Sequence, residues 1–214
     1  MKKLFLLSAF AVLLLASCEK EKTDEQLGIN AVDLSLSVEW CDRNVGALSP
    51  DDAGTYYAWG ETKVRMEFGA DNYKWGNVSA GEIKKYNGSD GLEFLEASDD
   101  VAHAKFGGKW RMPTTDEWLE LCEKCDWKWT KQGKAPGFLV TSKDGSTSIF
   151  LPAAGGYLGS SLMDVGYHGF YWTSQLIKSS PASAWAFWIR NNNASEEDFP
   201  RYYGFPIRAV KDKQ

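Results

Sequence analysis

The chain has 214 residues and a formal net charge of −5. An acidic surface repels phosphates, and no basic stripe interrupts it, so composition excludes a nucleic-acid partner. The length suits one domain that buries roughly 70% of its unfolded surface. Aromatic residues make up 14% of the chain and include ten Trp, so we expect an aromatic core, an aromatic binding face, or both.

The N-terminus has the pattern of a secretory signal. Two lysines precede an apolar run over residues 4–16, which is long enough for a signal sequence and too short to span a bilayer comfortably. The run is followed by Ser17 and Cys18, and small residues before a Cys resemble a bacterial lipobox. That resemblance implies that residues 1–17 are a lipoprotein signal peptide and that Cys18 carries the lipid. An ordinary signal peptide with an incidental Cys is the alternative.

This N-terminus predicts an exported protein that lipid on Cys18 anchors to the bacterial outer membrane, at the cell surface. No second apolar run long enough to span a bilayer follows, so we expect the lipid to be the only membrane attachment. Residues 19–26 contain no apolar side chain and cannot bury a core. We therefore predict a solvated polar tether over residues 18–28 and one folded domain over residues 29–214.

The first folded segment alternates in hydropathy. Apolar side chains occupy every second position of residues 31–40, namely Val32, Leu34, Leu36, Val38 and Trp40. This period of two predicts one or two half-buried strands. Residues 55–59 form a β-rich run that ends at Gly60. For residues 63–97 we predict a long ordered loop, which in a compact domain is usually functional or an insertion.

Two short helices are predicted in the middle of the chain. Ser98 or Asp99 can cap the first helix, and Gly107 ends it. Thr114 and Glu117 have the spacing of a capping box at the start of the second helix. The apolar face of this second helix follows the helical period, with Trp118, Leu121, Cys122 and Cys125 at i, i+3, i+4 and i+7.

The second half of the chain is rich in strand signals. Asp144 and Gly145 separate β-rich runs at residues 137–142 and 146–151, which predicts a hairpin. Residues 153–169 are predicted as a glycine-rich loop. Further strands are predicted over residues 170–174, 184–190 and 203–210. Two short helices followed by many strands indicate an α+β fold rather than a βαβ repeat.

Cys122 and Cys125 come closest to a chemical motif. A C-x-x-C pair suits a redox centre or half of a zinc site, but Cys41, His103 and His168 lack the paired spacing that completes a zinc site. The two cysteines fall on an apolar helix face beside acidic residues, which favours buried core cysteines. A disulfide from Cys41 to either of them stays open. We expect neither a metal nor a cofactor.

The strand predicted over residues 184–190 has two distinct faces. One face is wholly apolar and should enter the core, whereas the other carries Trp188 and Arg190, which we predict to point outward. Indole and phenol rings stack on sugars or other ligand faces, and Arg and Asn add directional hydrogen bonds. The candidate ligand-binding residues are Trp188, Arg190, Asn191, Asn192, Tyr202, Tyr203 and His168. In the alternative interpretation Trp188 packs under a loop and the asparagines only turn the chain.

No catalytic motif is intact in the sequence. It contains no G-x-S-x-G, P-loop, H-E-x-x-H or EF-hand pattern, and only two histidines. We therefore expect a non-enzymatic surface protein whose partner is an unknown glycan or protein.

Several stretches in this order resemble the Fibrobacter succinogenes major paralogous domain, which occurs in many bacterial surface lipoproteins. They are residues 32–40, 43–47, 57–62, 99–102, 107–114, 149–155, 171–174 and 204–208. The resemblance implies a C-type-lectin-like fold, with two short helices packed on small antiparallel sheets and long loops. The chain departs from the family at Arg43, where a Cys is common, because its own Cys is Cys41. No family disulfide is carried over.

Residues 111–118 also resemble a segment of the formylglycine-generating enzymes, which share that fold. Those enzymes use a cysteine pair late in the domain, and this chain has no Cys after Cys125. The tripeptides of the calcium-dependent sugar site of C-type lectins are absent too. Three functions thus stand at this point: ligand binding, a diverged enzyme of this type or a thiol-redox enzyme, and a structural subunit of a surface assembly.

Overall fold

The computed structural model describes residues 22–191 and 193–213. The predicted signal peptide and Cys18 lie outside these residues. The described chain is a strand-rich α+β structure of small antiparallel sheets, as the sequence predicts. Its helices are α1 (Asp24–Leu27), α2 (Val101–Phe106) and α3 (Thr115–Lys124), with a single 3-10 turn at Val78–Ala80. In this part of the chain no helix is long and apolar enough to cross a membrane.

Fourteen strands make up the rest of the regular structure. In chain order they are β1 (Ala31–Val32), β2 (Val38–Asn44), β3 (Tyr56–Tyr57), β4 (Trp110–Arg111), β5 (Cys125–Gln132), β6 (Ala135–Ser142), β7 (Ser148–Pro152), β8 (Gly156–Leu158), β9 (Ser161–Met163), β10 (His168–Leu176), β11 (Ser183–Arg190), β12 (Asn193–Pro200), β13 (Phe205–Pro206) and β14 (Arg208–Asp212).

Hairpins build most of the sheets. Strands β5, β6 and β7 form one three-stranded sheet, and β10, β11 and β12 form another. The four-stranded sheet has the order β1-β2-β14-β4, so the last strand lies between β2 and β4, which precede it by about a hundred residues or more. Strand β3 pairs with β13, and β8 pairs with β9. The C-terminal segment is therefore held by residues far away in sequence.

Three aromatic rings join α3 to the sheets. The indole of Trp118 stacks on the ring of Phe187 at a centroid distance of 4.8 Å, and Trp40 meets Trp118 edge-on at 4.7 Å. All three side chains are fully buried. The apolar faces predicted for the second helix and the first strand thus meet Phe187 and Ile189 of β11 in one core, whereas Trp185, predicted on the same face of β11, is only half-buried.

The alternating N-terminal segment is two strands with a break between them. Strand β1 ends at Val32, β2 starts at Val38, and Ser35 has a φ of 62°, which interrupts extended backbone. The apolar side chains from Leu34 to Trp40 are nevertheless buried. Hydropathy therefore predicted burial correctly where backbone pairing is incomplete.

The predicted start of the second helix is confirmed. The predicted cap of the first helix and the predicted end of the second helix are wrong. Thr114 and Glu117 form the capping box, each side chain bonding the other's backbone N–H. Helix α2 is capped by Asp100 rather than by Ser98 or Asp99. Helix α3 ends at Lys124, so Cys125 begins β5 instead of continuing the helix.

Three further segments differ from the predictions. The end of the predicted tether forms α1, which has no buried residue but is attached to the domain through Asp24, whose carboxylate accepts hydrogen bonds from Trp110 Nε1 and Lys211 Nζ. The predicted glycine-rich loop contains the β8–β9 hairpin. The polar segment after β11 is a full strand, β12, because it pairs along the whole length of β11.

A buried arginine connects two of the sheets. The guanidinium of Arg208 on β14 donates to Asn44 Oδ1 at 2.9 Å, to the Cys41 carbonyl at 3.0 Å and to the Phe150 carbonyl at 2.8 Å. Desolvation lowers the pKa of this fully buried side chain. The three acceptors belong to β2 and β7, so one side chain joins the four-stranded sheet to the β5–β7 sheet.

We predict that Arg208→Met lowers the free energy of unfolding by about 3–5 kcal/mol, because each abandoned buried acceptor costs roughly 1–3 kcal/mol. Urea unfolding of the purified protein measures this change. The control is Arg43→Gln. Arg43 lies on β2, the strand that Arg208 contacts, and its partly exposed guanidinium pairs with Asp42. The control should cost about 1 kcal/mol or less. Equal losses in the two variants would contradict the role given to Arg208.

Candidate ligand-binding face

The β10–β12 sheet packs one face on α3 and turns the other toward a second core cluster. The antiparallel register aligns two rows at one end of this second face. The rows are His168, Arg190 and Asn193, and Phe170, Trp188 and Ser195. We call these six residues the Arg190 face. The prediction that Trp188 and Arg190 share one face of a strand is confirmed.

Trp188 does not point outward as predicted. Its ring is half-buried against the second core cluster, and its Nε1 is buried with no hydrogen-bond partner in the described part of the chain. Phe170 stacks nearly parallel to it at a centroid distance of 5.9 Å. The reason is that β12 and the C-terminal segment cover this side of the sheet with Phe199 and Phe205, which both pack on Phe170.

Arg190 covers the remaining side of that indole. Its guanidinium carbon lies 3.6 Å from the centroid of the Trp188 ring, a cation–π contact. Its hydrogen bond to Ser195 Oγ is long, at 3.4 Å, and Ser195 in turn bonds Glu197 at 3.3 Å. Among the described residues, no carboxylate lies within ion-pair distance of Arg190. A half-buried guanidinium held flat on a ring therefore has donors available for an anionic or carbonyl oxygen.

His168 lies beside this pair. It is the Cα partner of Arg190 across the β10–β11 ladder, and its ring meets Trp188 edge-on at 5.3 Å. Its Nδ1 is 3.5 Å from Asp164 Oδ2, too far and too poorly directed for a hydrogen bond. The sequence placed His168 on a flexible loop, whereas the structure makes it the first residue of β10.

Asn191 does not belong to the Arg190 face. Asn191 is on the β11–β12 turn and, with Asn193, lines a pocket of about 460 Å³ whose other side carries Trp127 and Trp129. Asn192 lies outside the described residues. Sequence reasoning missed the two indoles of this pocket because β5 was not predicted as a strand.

Tyr202 and Tyr203 flank the Arg190 face through the aromatic cluster. Tyr203 contacts Phe199 and Phe205, and Tyr202 meets Tyr203 edge-on at 5.1 Å. The neighbouring Arg201 is fully buried. Its guanidinium donates to Tyr73 Oη and to three backbone carbonyls, those of Lys85, Tyr86 and Pro181. Arg201 therefore holds the long 63–97 loop to the C-terminal segment.

The motif at residues 107–118 is a structural element of the fold. The Arg111 guanidinium pairs with Glu117 and Asp212, and the Met112 N–H donates to the buried carboxylate of Asp100 at 2.7 Å. Burial raises the pKa of Asp100, although the backbone N–H groups that it accepts from oppose this. A cleft of about 460 Å³ opens beside these residues, and its charged groups are largely engaged with each other.

The three described cysteines are all free thiols with raised pKa values. Burial raises the pKa of Cys41 to about 11, and burial together with the Glu196 carboxylate raises that of Cys122 to about 12. Burial raises the pKa of Cys125 as well. Cys41 and Cys125 belong to different core clusters. These environments are the opposite of what a reactive thiol requires. In the described residues, no group of His, Cys, Asp and Glu is arranged to hold a metal.

We predict that these thiols react at least roughly a hundredfold more slowly in the folded protein than in urea at pH 8, because burial suppresses the thiolate. Stopped-flow thiol titration of a Cys18→Ser variant measures this ratio. The raised thiol pKa values also make the free energy of unfolding fall as pH rises above about 9, since thiols of the unfolded chain ionise at a lower pH than thiols of the folded chain. Rapid reaction of Cys122 in the folded protein would support the redox alternative.

The segment with the most exposed apolar side chains in the described chain was missed by the sequence analysis. Five side chains in the β8–β9 region are exposed by 43%, 41%, 50%, 54% and 75%, namely Leu158, Leu162, Met163, Val165 and Tyr167. The signal was present as two short apolar runs around Gly159-Ser160, a turn sequence that predicts a hairpin. The abundance of glycine in residues 153–169 obscured it.

Comparisons with protein-family models, with curated proteins and with solved structures find no match for this chain. The function is therefore argued from the geometry of its own residues.

Proposed function

We propose that this chain is an exported, lipid-anchored surface protein with a C-type-lectin-like fold that binds a glycan or protein ligand non-enzymatically through the Arg190 face. The observation that carries the proposal is the Arg190 guanidinium, stacked on Trp188 without a carboxylate partner among the described residues. In an acidic chain a half-buried cation without an acid is costly unless another group satisfies it. A ligand oxygen supplies that group.

The two aromatic neighbours give Arg190 a fixed position. Trp188 lies between the guanidinium and the ring of Phe170, and His168 closes one edge. A guanidinium whose plane is already set loses little conformational freedom on binding, so its hydrogen bonds contribute more affinity. Trp188 acts in this proposal as the support of Arg190 rather than as a platform for a sugar ring.

The proposed lipid anchor and the proposed C-type-lectin-like fold are supported by observations outside the Arg190 face. The apolar run before Cys18 and the polar segment after it suit a lipid anchor followed by a spacer. The small antiparallel sheets, the two central helices and the long 63–97 loop suit a C-type-lectin-like domain. A thiol-redox enzyme receives no support, because burial raises the pKa values of Cys122 and Cys125.

We predict that Arg190→Gln reduces ligand binding by at least about tenfold on glycan and protein arrays, because loss of a charge-assisted contact costs roughly 2–5 kcal/mol. Arg190→Lys should recover only part of the binding, since an ammonium cannot reproduce the planar stack. Arg43→Gln is the matched control, an equally partly buried arginine outside the Arg190 face. Equal binding by the Arg190→Gln variant and the wild type would overturn the site. Trp188→Ala is a poor test, because it also removes core packing.

A further inference from the structure

The β8–β9 hairpin and the turn after it expose apolar side chains from an ordered platform. We call residues 156–167 the apolar hairpin. Strand β8 is bonded to the C-terminal segment, with Tyr157 N–H donating to the Gly204 carbonyl at 2.8 Å and the Gly204 N–H donating back at 3.0 Å. Gly159 and Phe68 exchange a second pair of backbone hydrogen bonds at 2.9 and 3.0 Å. Tyr157 also packs on the rings of Tyr56 and Phe68 at 5.0 and 5.4 Å, so the hairpin is fixed along β8 while Leu158, Leu162, Met163, Val165 and Tyr167 stay exposed.

The apolar hairpin adjoins the Arg190 face at its C-terminal end. Its last residue, Tyr167, precedes His168, the Cα partner of Arg190. Its first strand pairs with Gly204, the residue after Tyr203. The exposed Tyr167 therefore places the end of the hairpin beside the Arg190 face.

The composition of this surface indicates its ligand class. Leu, Met and Val side chains give no hydrogen bonds to a sugar, whereas exposed apolar groups beside Tyr and Arg are typical of the centre of a protein–protein contact. A patch of this kind on a single chain usually marks an interaction site. Of the two ligand classes in the proposed function, the apolar hairpin favours a protein.

Charge distinguishes between the candidate binding partners of the apolar hairpin. Asp164 is the sole charged residue among residues 156–167, which contain no Lys or Arg, so an anionic bilayer surface gains nothing electrostatically here. Arg190 at the border of the patch instead complements a carboxylate on a different chain.

We infer that the partner is a protein that places an apolar surface on the apolar hairpin and an Asp or Glu side chain on Arg190. This inference rests on the proposed function and narrows it to one ligand class. The carboxylate accepts two hydrogen bonds from the guanidinium that Trp188 holds flat, and Leu162, Met163 and Tyr167 are covered.

The test uses a displayed library of random dodecapeptides as the probe, selected on the full chain. We expect enriched peptides that combine apolar residues with an Asp or Glu. A synthetic copy of the most enriched peptide should bind the Leu162→Ser/Met163→Ser variant at least tenfold more weakly than wild type, as measured by calorimetry. Arg190→Gln should cause a similar loss. Leu48→Ser is the control, because Leu48 is 87% exposed and lies outside the hairpin. Urea unfolding checks that the variants remain folded.

Each outcome decides between the inference and the proposed function. Loss of affinity in Arg190→Gln alone leaves the proposed function standing and overturns the protein-partner inference. Loss in the hairpin variant alone removes Arg190 from the contact and overturns the inferred carboxylate pairing. Peptides that bind all variants equally, or no enrichment, overturn the inference, whereas the Arg190→Gln array measurement decides the proposed function separately because a glycan ligand enriches no peptide. Hairpin-dependent binding to phosphatidylethanolamine/phosphatidylglycerol vesicles, or hairpin-dependent dimers in sedimentation, overturns the inference in favour of a membrane or a second copy.

Discussion

The buried guanidinium of Arg208 is the interaction on which the arrangement of the sheets depends. It donates to acceptors on β2 and β7 and forms no ion pair in the described part of the chain, so hydrogen bonds are the main compensation for its desolvation. Those bonds hold β14 against β2 and join it to β7. The segment just before β14 is fixed with it, which presses Phe205 onto Phe170 and Trp172 at 4.9 and 4.6 Å. The position of the β10–β12 sheet follows from that contact.

The candidate binding surface combines a rigid support with exposed groups. Trp188, Phe170 and Phe199 form an aromatic layer, and Arg190 stacks on its Trp188 ring. The apolar hairpin is held by backbone hydrogen bonds and by the packing of Tyr157, which leaves its other apolar side chains exposed. Affinity for a partner is greatest when such groups are already ordered, because less conformational freedom is lost on binding.

Local patterns predicted the elements whose cause is local. The capping box at Thr114, the Asp144-Gly145 hairpin and the burial of the alternating segment from Leu34 to Trp40 all depend on residues within one turn or one strand. Strand β12 was not predicted, because its polar sequence forms a strand only by pairing with β11. The burial of Trp188 was not predictable either, since Phe199 and Phe205 from other segments pack on its neighbour Phe170.

The sequence by itself determined the α+β character, the two central helices and the pairing of Trp188 with Arg190 on one strand face, because helical caps and period-two patterns are properties of neighbouring residues. Only the tertiary structure decided which of those two side chains is available to a ligand, and that the β8–β9 residues stay exposed. Exposure depends on what the rest of the chain brings against a surface, and that information is not contained in any single segment.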